Sequence, residues 1–146
     1  MSNWIVPTET DLAGTLSQRE IDAFRASPAA SMDADPVRAL QDQAAGQVRA
    51  ACRSNGRVKM DASAVSSIPR SCLRAHCAIV AFDVLKRLPT PVGEDRRTAY
   101  RDALAFLEKV AAGAITPEGA DYEDDTGLAH ARPASAEPHV PPRLLD

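Results

Sequence analysis

The sequence predicts an all-α fold: a compact bundle of three long helices and two short N-terminal ones. A long loop should separate the first and second long helices, and a flexible C-terminal tail should follow the third. Three observations predict this. Alanine fills much of the 45% apolar content, as in "DQAAGQVRAAC", "RAHCAIVAFD" and "KVAAGA", while aromatics supply only 4%. Alanine is the best helix former and lets neighbouring helices approach closely. Apolar residues also recur at helical spacing through three segments, and start and stop signals bracket each of them. A length of 146 residues fits one domain. We divide it into a helical body, residues 1–116, and a Pro-rich acidic arm, residues 117–146.

"VPTETDLAGTLSQREIDAFRAS" reads as two short helices. Thr8 or Thr10 caps the first, and Ser17 with Glu20 forms a capping box for the second. Leu12, Leu16, Ile21 and Phe24 are its apolar residues. Pro28 closes the segment and "SPAASMDAD" reads as a loop. The next start is strong: Asp35 as N-cap, Pro36 at the first helical position. That helix should run to Asn55 and stop at Gly56 in the left-handed region. Val37, Leu40, Ala44, Val48 and Ala51/Cys52 form its stripe. Gly46 inside it costs about 1 kcal/mol relative to Ala, a cost that makes sense if another backbone packs there.

"GRVKMDASAVSSI" is a connecting loop, long for a helical domain and therefore of functional interest. Val58, Met60, Val65 and Ile68 should anchor it, with a short extended piece at Arg57–Met60. The following helix should begin at Ser67 or Ile68, with Pro69 in its first turn, and stop before Pro89. It carries two apolar faces, one of Leu73, Cys77, Val80, Val84 and Leu88, the other of Cys72, Ala75, Ile79, Phe82 and Leu85. Two such faces mean burial on two sides, so this is the expected central helix. "PTPVGED" is a rigid turn. Glu94 and Asp95 open the last helix and Lys109 lies near its end, both signs suiting the helix dipole. Tyr100, Ala103/Leu104, Leu107 and Val110/Ala111 form its stripe, Phe106 lies off it, and Gly113 with Pro117 ends it.

The tail holds five of the eleven prolines and almost no large apolar residues before Leu144 and Leu145. Burial there does not offset ordering entropy, so the arm is expected to be disordered unless assembled. Residues 118–146 carry seven carboxylates against two arginines, a net of −5, which leaves the body at +2 of the total −3. No stretch approaches the roughly 20 apolar residues of a membrane span, and the opening "MSNWIVPTETDL" has no signal-peptide pattern. The expected compartment is cytosolic and reducing, with Cys52, Cys72 and Cys77 as thiols.

Few constellations carry chemistry. Cys72 and His76 lie one turn apart, but structural zinc uses paired close spacings and four ligands, and Cys77 points elsewhere; no metal is expected. There is no Gly-rich phosphate loop and no nucleophile elbow. His130 and His139 fall in the arm, where no preorganised geometry is expected. We therefore expect no enzyme and no cofactor. Arg49, Arg53, Arg57 and Lys59 form a basic stretch, with Arg70 and Arg74 nearby, that can meet phosphates or an acidic partner. "DYEDD" at 121–125 is an acidic strip, and Leu144-Leu145 is an apolar pair able to anchor on a neighbour.

The ordered set of segments resembles a known family. "PTETDLAGTLSQREIDAF", the Ala-rich "DADPVRALQDQAAGQVRAACRSNGRV", the Pro-led "SIPRSCLRAHCAIVAFDVL" and the closing "RRTAYRDALAFLEKVAAGAI" together resemble the small helical head–tail connector proteins of tailed phages and prophages, also called adaptor or head-completion proteins, in their Mu-like branch. The resemblance covers residues 4–116. It departs at "RVKMDASAVSS", where the family shows an aromatic-and-proline segment, and in the arm. The resemblance implies a structural virion protein at the head–tail interface that is assembled in the host cytoplasm. It implies a ring, commonly dodecameric, beneath the portal. Its partners are then itself, the portal and a stopper or tail-completion protein, with packaged DNA passing through the lumen without sequence-specific binding. Candidate partner contacts are Arg49, Arg53, Arg57, Lys59, Phe106, Leu144 and Leu145. The alternative is a small helical DNA-binding or regulatory module using the Arg49–Lys59 stretch, although no helix-turn-helix signature is present.

Overall fold

The computed structural model describes residues 3–30 and 34–117. Its local starts follow the capping chemistry. A 3-10 turn, Glu9–Gly14, is opened by Thr8, which forms a capping box with Asp11; the Thr8 amide donates to the Asp11 carboxylate at 2.7 Å. Helix α1, Gln18–Arg25, repeats the device with Ser17 and Glu20. Arg25, at the end of α1, reaches back to Glu9 with a two-pronged ion pair of 2.9 and 2.5 Å, closing the N-terminal unit on itself.

Helix α2 spans Pro36–Asn55, with Asp35 accepting from the Arg38 amide and Gly56 as a left-handed stop at φ 71°. Helix α3 is Leu73–Leu85. Helix α4 is Glu94–Ala111 and ends in a second left-handed glycine, Gly113, at φ 77°. Asn55 locks two of these ends together: its side-chain amide donates at 2.8 Å to the Val110 carbonyl in the last turn of α4, which also accepts from the Gly113 amide. The bundle is all-α in class, as the sequence predicts.

Helix α3 is the hub, packed against α1, α2 and α4. Ala75, His76, Cys77, Ile79, Val80, Ala81, Asp83 and Val84 are all buried on it, so it is enclosed around most of its circumference. Against it lie Leu12, Leu16, Ile21 and Phe24 from the N-terminal unit. Val37, Leu40, Ala44 and Val48 face it from α2, and Ala103, Leu107 and Val110 from α4.

Four expectations are corrected. Ile68 and Pro69 are not the start of α3. They form strand β2, which pairs antiparallel with β1, Trp4–Ile5, in the register Trp4 opposite Pro69 and Ile5 opposite Ile68. A residue before proline is biased away from the helical region, and the chain turns helical only at Arg70–Cys72, a 3-10 turn leading into α3. The central helix is shorter in consequence. Gly46 faces solvent with nothing within 4 Å of where a Cβ would sit, so no backbone packs there. Val65 is 91% exposed and anchors nothing, whereas Val58 and Ile68 are buried. The short extended piece reduces to one bridging residue, Val58. The arm from residue 118 onward, including Leu144 and Leu145, lies outside the described residues.

The two glycines of the α2 segment should respond in opposite directions. Gly46→Ala removes a helix-interior glycine at an open site and should stabilise by about 0.5–1 kcal/mol. Gly56→Ala forces a side chain into the left-handed region and should destabilise by about 1–2 kcal/mol. Urea midpoints of the two variants check both signs.

Candidate interaction surfaces

Arg49 heads the basic stretch of the sequence, and the fold uses it internally. From the middle of α2 its guanidinium donates to the Ser67 carbonyl and hydroxyl, both at 2.9 Å, and to the Asp61 carbonyl at 2.7 Å. It also lies over the Trp4 ring, 5.4 Å from the centroid. One planar cation thus clamps the 57–67 loop and the β1–β2 corner onto α2, a task that suits the fork geometry of arginine. Arg38, three turns earlier on the same helix, does similar work: it donates to the Pro7 carbonyl and the Ser66 hydroxyl, both at 2.9 Å. Arg53, Arg57 and Lys59, by contrast, are exposed, as are Arg70 and Arg74. The basic stretch is therefore exposed apart from its first member.

Phe106, the residue off the α4 stripe, is half-buried and lines a groove of about 600 Å³ between α3 and α4. Ala75 and Ala78 from α3, Ala99 and Ala103 from α4 and the Phe106 ring line it, together with Ser71 and Thr98. Arg74 stands on the α3 lip and Asp95 and Asp102 on the α4 lip. Small side chains keep the groove open. Further along the same helix pair it closes where Phe82 stacks on Tyr100, ring centroids 4.1 Å apart and planes within 10°, with the Lys86 ammonium over Phe82 at 5.8 Å.

The cysteines and His76 are interior groups. Cys52 and Cys72 are fully buried where the end of α2 meets the start of α3. The neighbouring Cys52 sulfur, together with burial, holds the Cys72 thiol protonated, far above the ordinary thiol range. The Cys77 thiol donates to the Asp11 carbonyl at 3.5 Å, and burial pushes it up to about 11. Neither thiol is a nucleophile near neutral pH. His76, also fully buried, donates from Nε2 to the Gln41 carbonyl at 3.0 Å. That bond fixes the tautomer and leaves Nδ1 as an acceptor. Among the described residues no cluster of three or more His, Cys, Asp or Glu can hold a metal ion.

With this geometry in place, comparison with known families is decisive on one point. Residues 7–133 match the family model described as Bacteriophage Mu, Gp36. The chain belongs to the Gp36 family. No curated protein and no solved structure matches it. It is accordingly a phage protein of the Mu type, and no helix of the described residues is long and apolar enough to cross a membrane. The clamp formed by Arg49 has no local sequence signal: two of its three oxygens are main-chain carbonyls 12 and 18 residues away. The groove needs the relative placement of two helices and is equally invisible to periodicity.

Two outcomes are expected at these groups. Arg49→Met leaves the Asp61 and Ser67 carbonyls without their donor and should cost about 2–3 kcal/mol. Amides of the 57–67 loop should then exchange faster, and Arg49→Lys should not restore the protection. For His76, burial holds the imidazole below its ordinary value of 6.5. Above that pH both folded and unfolded chains are neutral there and His76 contributes no slope. Below it the unfolded chain takes up a proton that the folded chain resists, so stability falls as pH drops from about 6.5 toward the lower folded value. The bond to the Gln41 carbonyl, then Asp11 and Asp42, partly offset this, and Arg38 adds to it. Denaturation at pH 6.5 and pH 5 should show His76→Gln losing less stability than the parent, by up to about 1.4 kcal/mol per pH unit.

Proposed function

We propose that this chain is a head–tail connector, a structural and non-catalytic virion protein. In this reading, copies form a dodecameric ring beneath the portal, extend the DNA channel and present a platform to the stopper or tail-completion protein. The observation that carries it is membership of the Mu Gp36 family over residues 7–133, joined to the ordered resemblance of all four helical segments to connector proteins. The physical features are compatible. A closed ring needs a heterologous interface, in which each copy presents two unlike patches. The body has two unlike surfaces: the groove beside Phe106, and the loop that carries Arg57, Lys59 and the protruding Val65.

A channel through which duplex slides should not hold it tightly. Arg49, engaged with Asp61 and Ser67, is withdrawn from any lumen. Arg53, Arg57 and Lys59 then face a neighbouring copy or the portal in this reading, and the inner surface lacks a continuous basic stripe. The DNA-binding alternative is weakened by the same observation, since its patch loses one of four cations.

Mixing the purified chain with portal rings of the same phage should add a second ring, visible in negative stain and as a discrete mass increment. A portal whose mass and outline stay unchanged with the chain at roughly 10 μM, well above a useful assembly affinity, would sink the reading. In parallel, a mobility-shift series should show no duplex binding at roughly 150 mM salt; retention there with a steep salt slope would favour the alternative.

A further inference from the structure

We propose that the α3–α4 groove is the receptor for the arm of an adjoining copy, and that residues Arg143-Leu144-Leu145-Asp146 are the ligand. This rests on the connector reading, in which each copy must offer one donor patch and one acceptor patch. The groove is of the size that holds a small ligand. Its lining is four alanines and the Phe106 ring with Ser71 and Thr98, its α4 side carries Asp95 and Asp102, and its α3 side carries Arg74. The tetrapeptide is complementary in order and charge. Its cation pairs with the acidic side, its two leucines fill the apolar lining, and the Asp146 side chain pairs with Arg74 across the groove.

Two further considerations select this occupant. The protruding Val65 is one of two exposed large apolar groups among the described residues, and a single valine fills less of the groove than two adjacent leucines. Reach is ample. About 25 residues separate Pro117 from Arg143, and at ~3.3 Å per residue they extend to about 80 Å. One helix of this bundle is about 30 Å long, so the arm spans to a neighbour. Pro141 and Pro142 restrict the backbone just before the ligand, which lowers the entropy lost on docking.

The test uses the full chain carrying Leu144→Ser and Leu145→Ser, so that its own arm does not compete, titrated with a synthetic peptide of residues 138–146 and followed by NMR. Binding with a Kd on the order of 0.1 mM is expected, with shifts at Ala78, Ala99, Ala103 and Phe106. The peptide with both leucines replaced by serine should not bind. Asp102→Arg on the exposed lip should weaken binding about 3-fold and Arg143→Glu in the peptide should recover it, as an ion pair of this kind allows. No saturable binding, or equal binding by Ala78→Glu, overturns the proposal. So does a full-length chain whose groove shifts are independent of concentration, which would place the contact within one copy. If rings still form on portal with Leu144→Ser/Leu145→Ser and with Ala78→Glu, the inference falls while the connector reading stands. If no variant and no parent forms a ring, the connector reading falls instead.

Discussion

Helix α3 sets the terms for the rest of the molecule, because it is apolar around most of its circumference. A helix with one apolar stripe needs one partner; this one needs cover from α1, α2 and α4 together. The cover is thin in bulk. Alanines, cysteines and valines dominate the buried set, and the largest fully buried side chain is Phe24, from the N-terminal unit. Small residues bring the helices close, and closeness makes the few polar groups inside consequential. His76 and Gln41 are both buried, and the bond from the imidazole to the Gln41 carbonyl ties the first turn of α3 to the second turn of α2.

The N-terminus and the long loop add Trp4, Val58 and Ile68 to the same core. Both are held in addition by arginines rising from α2. Arg38 reaches Pro7 and Ser66, and Arg49 reaches Asp61 and Ser67 while covering Trp4. The loop is thus held by hydrogen bonding to main-chain carbonyls as well as by burial of Val58 and Ile68, and the two-stranded β1–β2 pairing is the seam along which N-terminus and loop meet. Two-stranded pairs are marginal alone, so the arginine clamps and the seam support each other. Charge that sequence inspection assigns to a partner surface is, in part, internal scaffolding.

What could be read from the sequence divides along the range of the interaction. Thr8, Ser17, Asp35, Gly56 and Gly113 act within a few residues of themselves, and each sits where its local chemistry places it. The wrap-around burial of α3 was legible from its two apolar faces. The β1–β2 seam was not, because it joins residues more than 60 apart; only the bias imposed by Pro69 on Ile68 hinted at an extended segment. Gly46 misled because a helix glycine has two explanations, close packing or simple tolerance at an exposed site, and the second holds. At the candidate surfaces, Phe106 stood out by its periodicity, yet the groove it lines depends on how α3 and α4 sit against each other.

The same division bears on function. A ring-forming protein has to fold as a stable single chain and still keep unlike surfaces in reserve for its copies. On the proposed ring reading, the α3–α4 interface of this bundle serves both needs. At one end Phe82 and Tyr100 stack and close it; at the other, alanines replace bulky residues and leave a trough flanked by charges of both signs. Filling that trough with larger side chains would improve the isolated chain by burying more apolar surface. An alanine lining where leucines would fit is a cost to the monomer that makes sense if something else supplies the leucines.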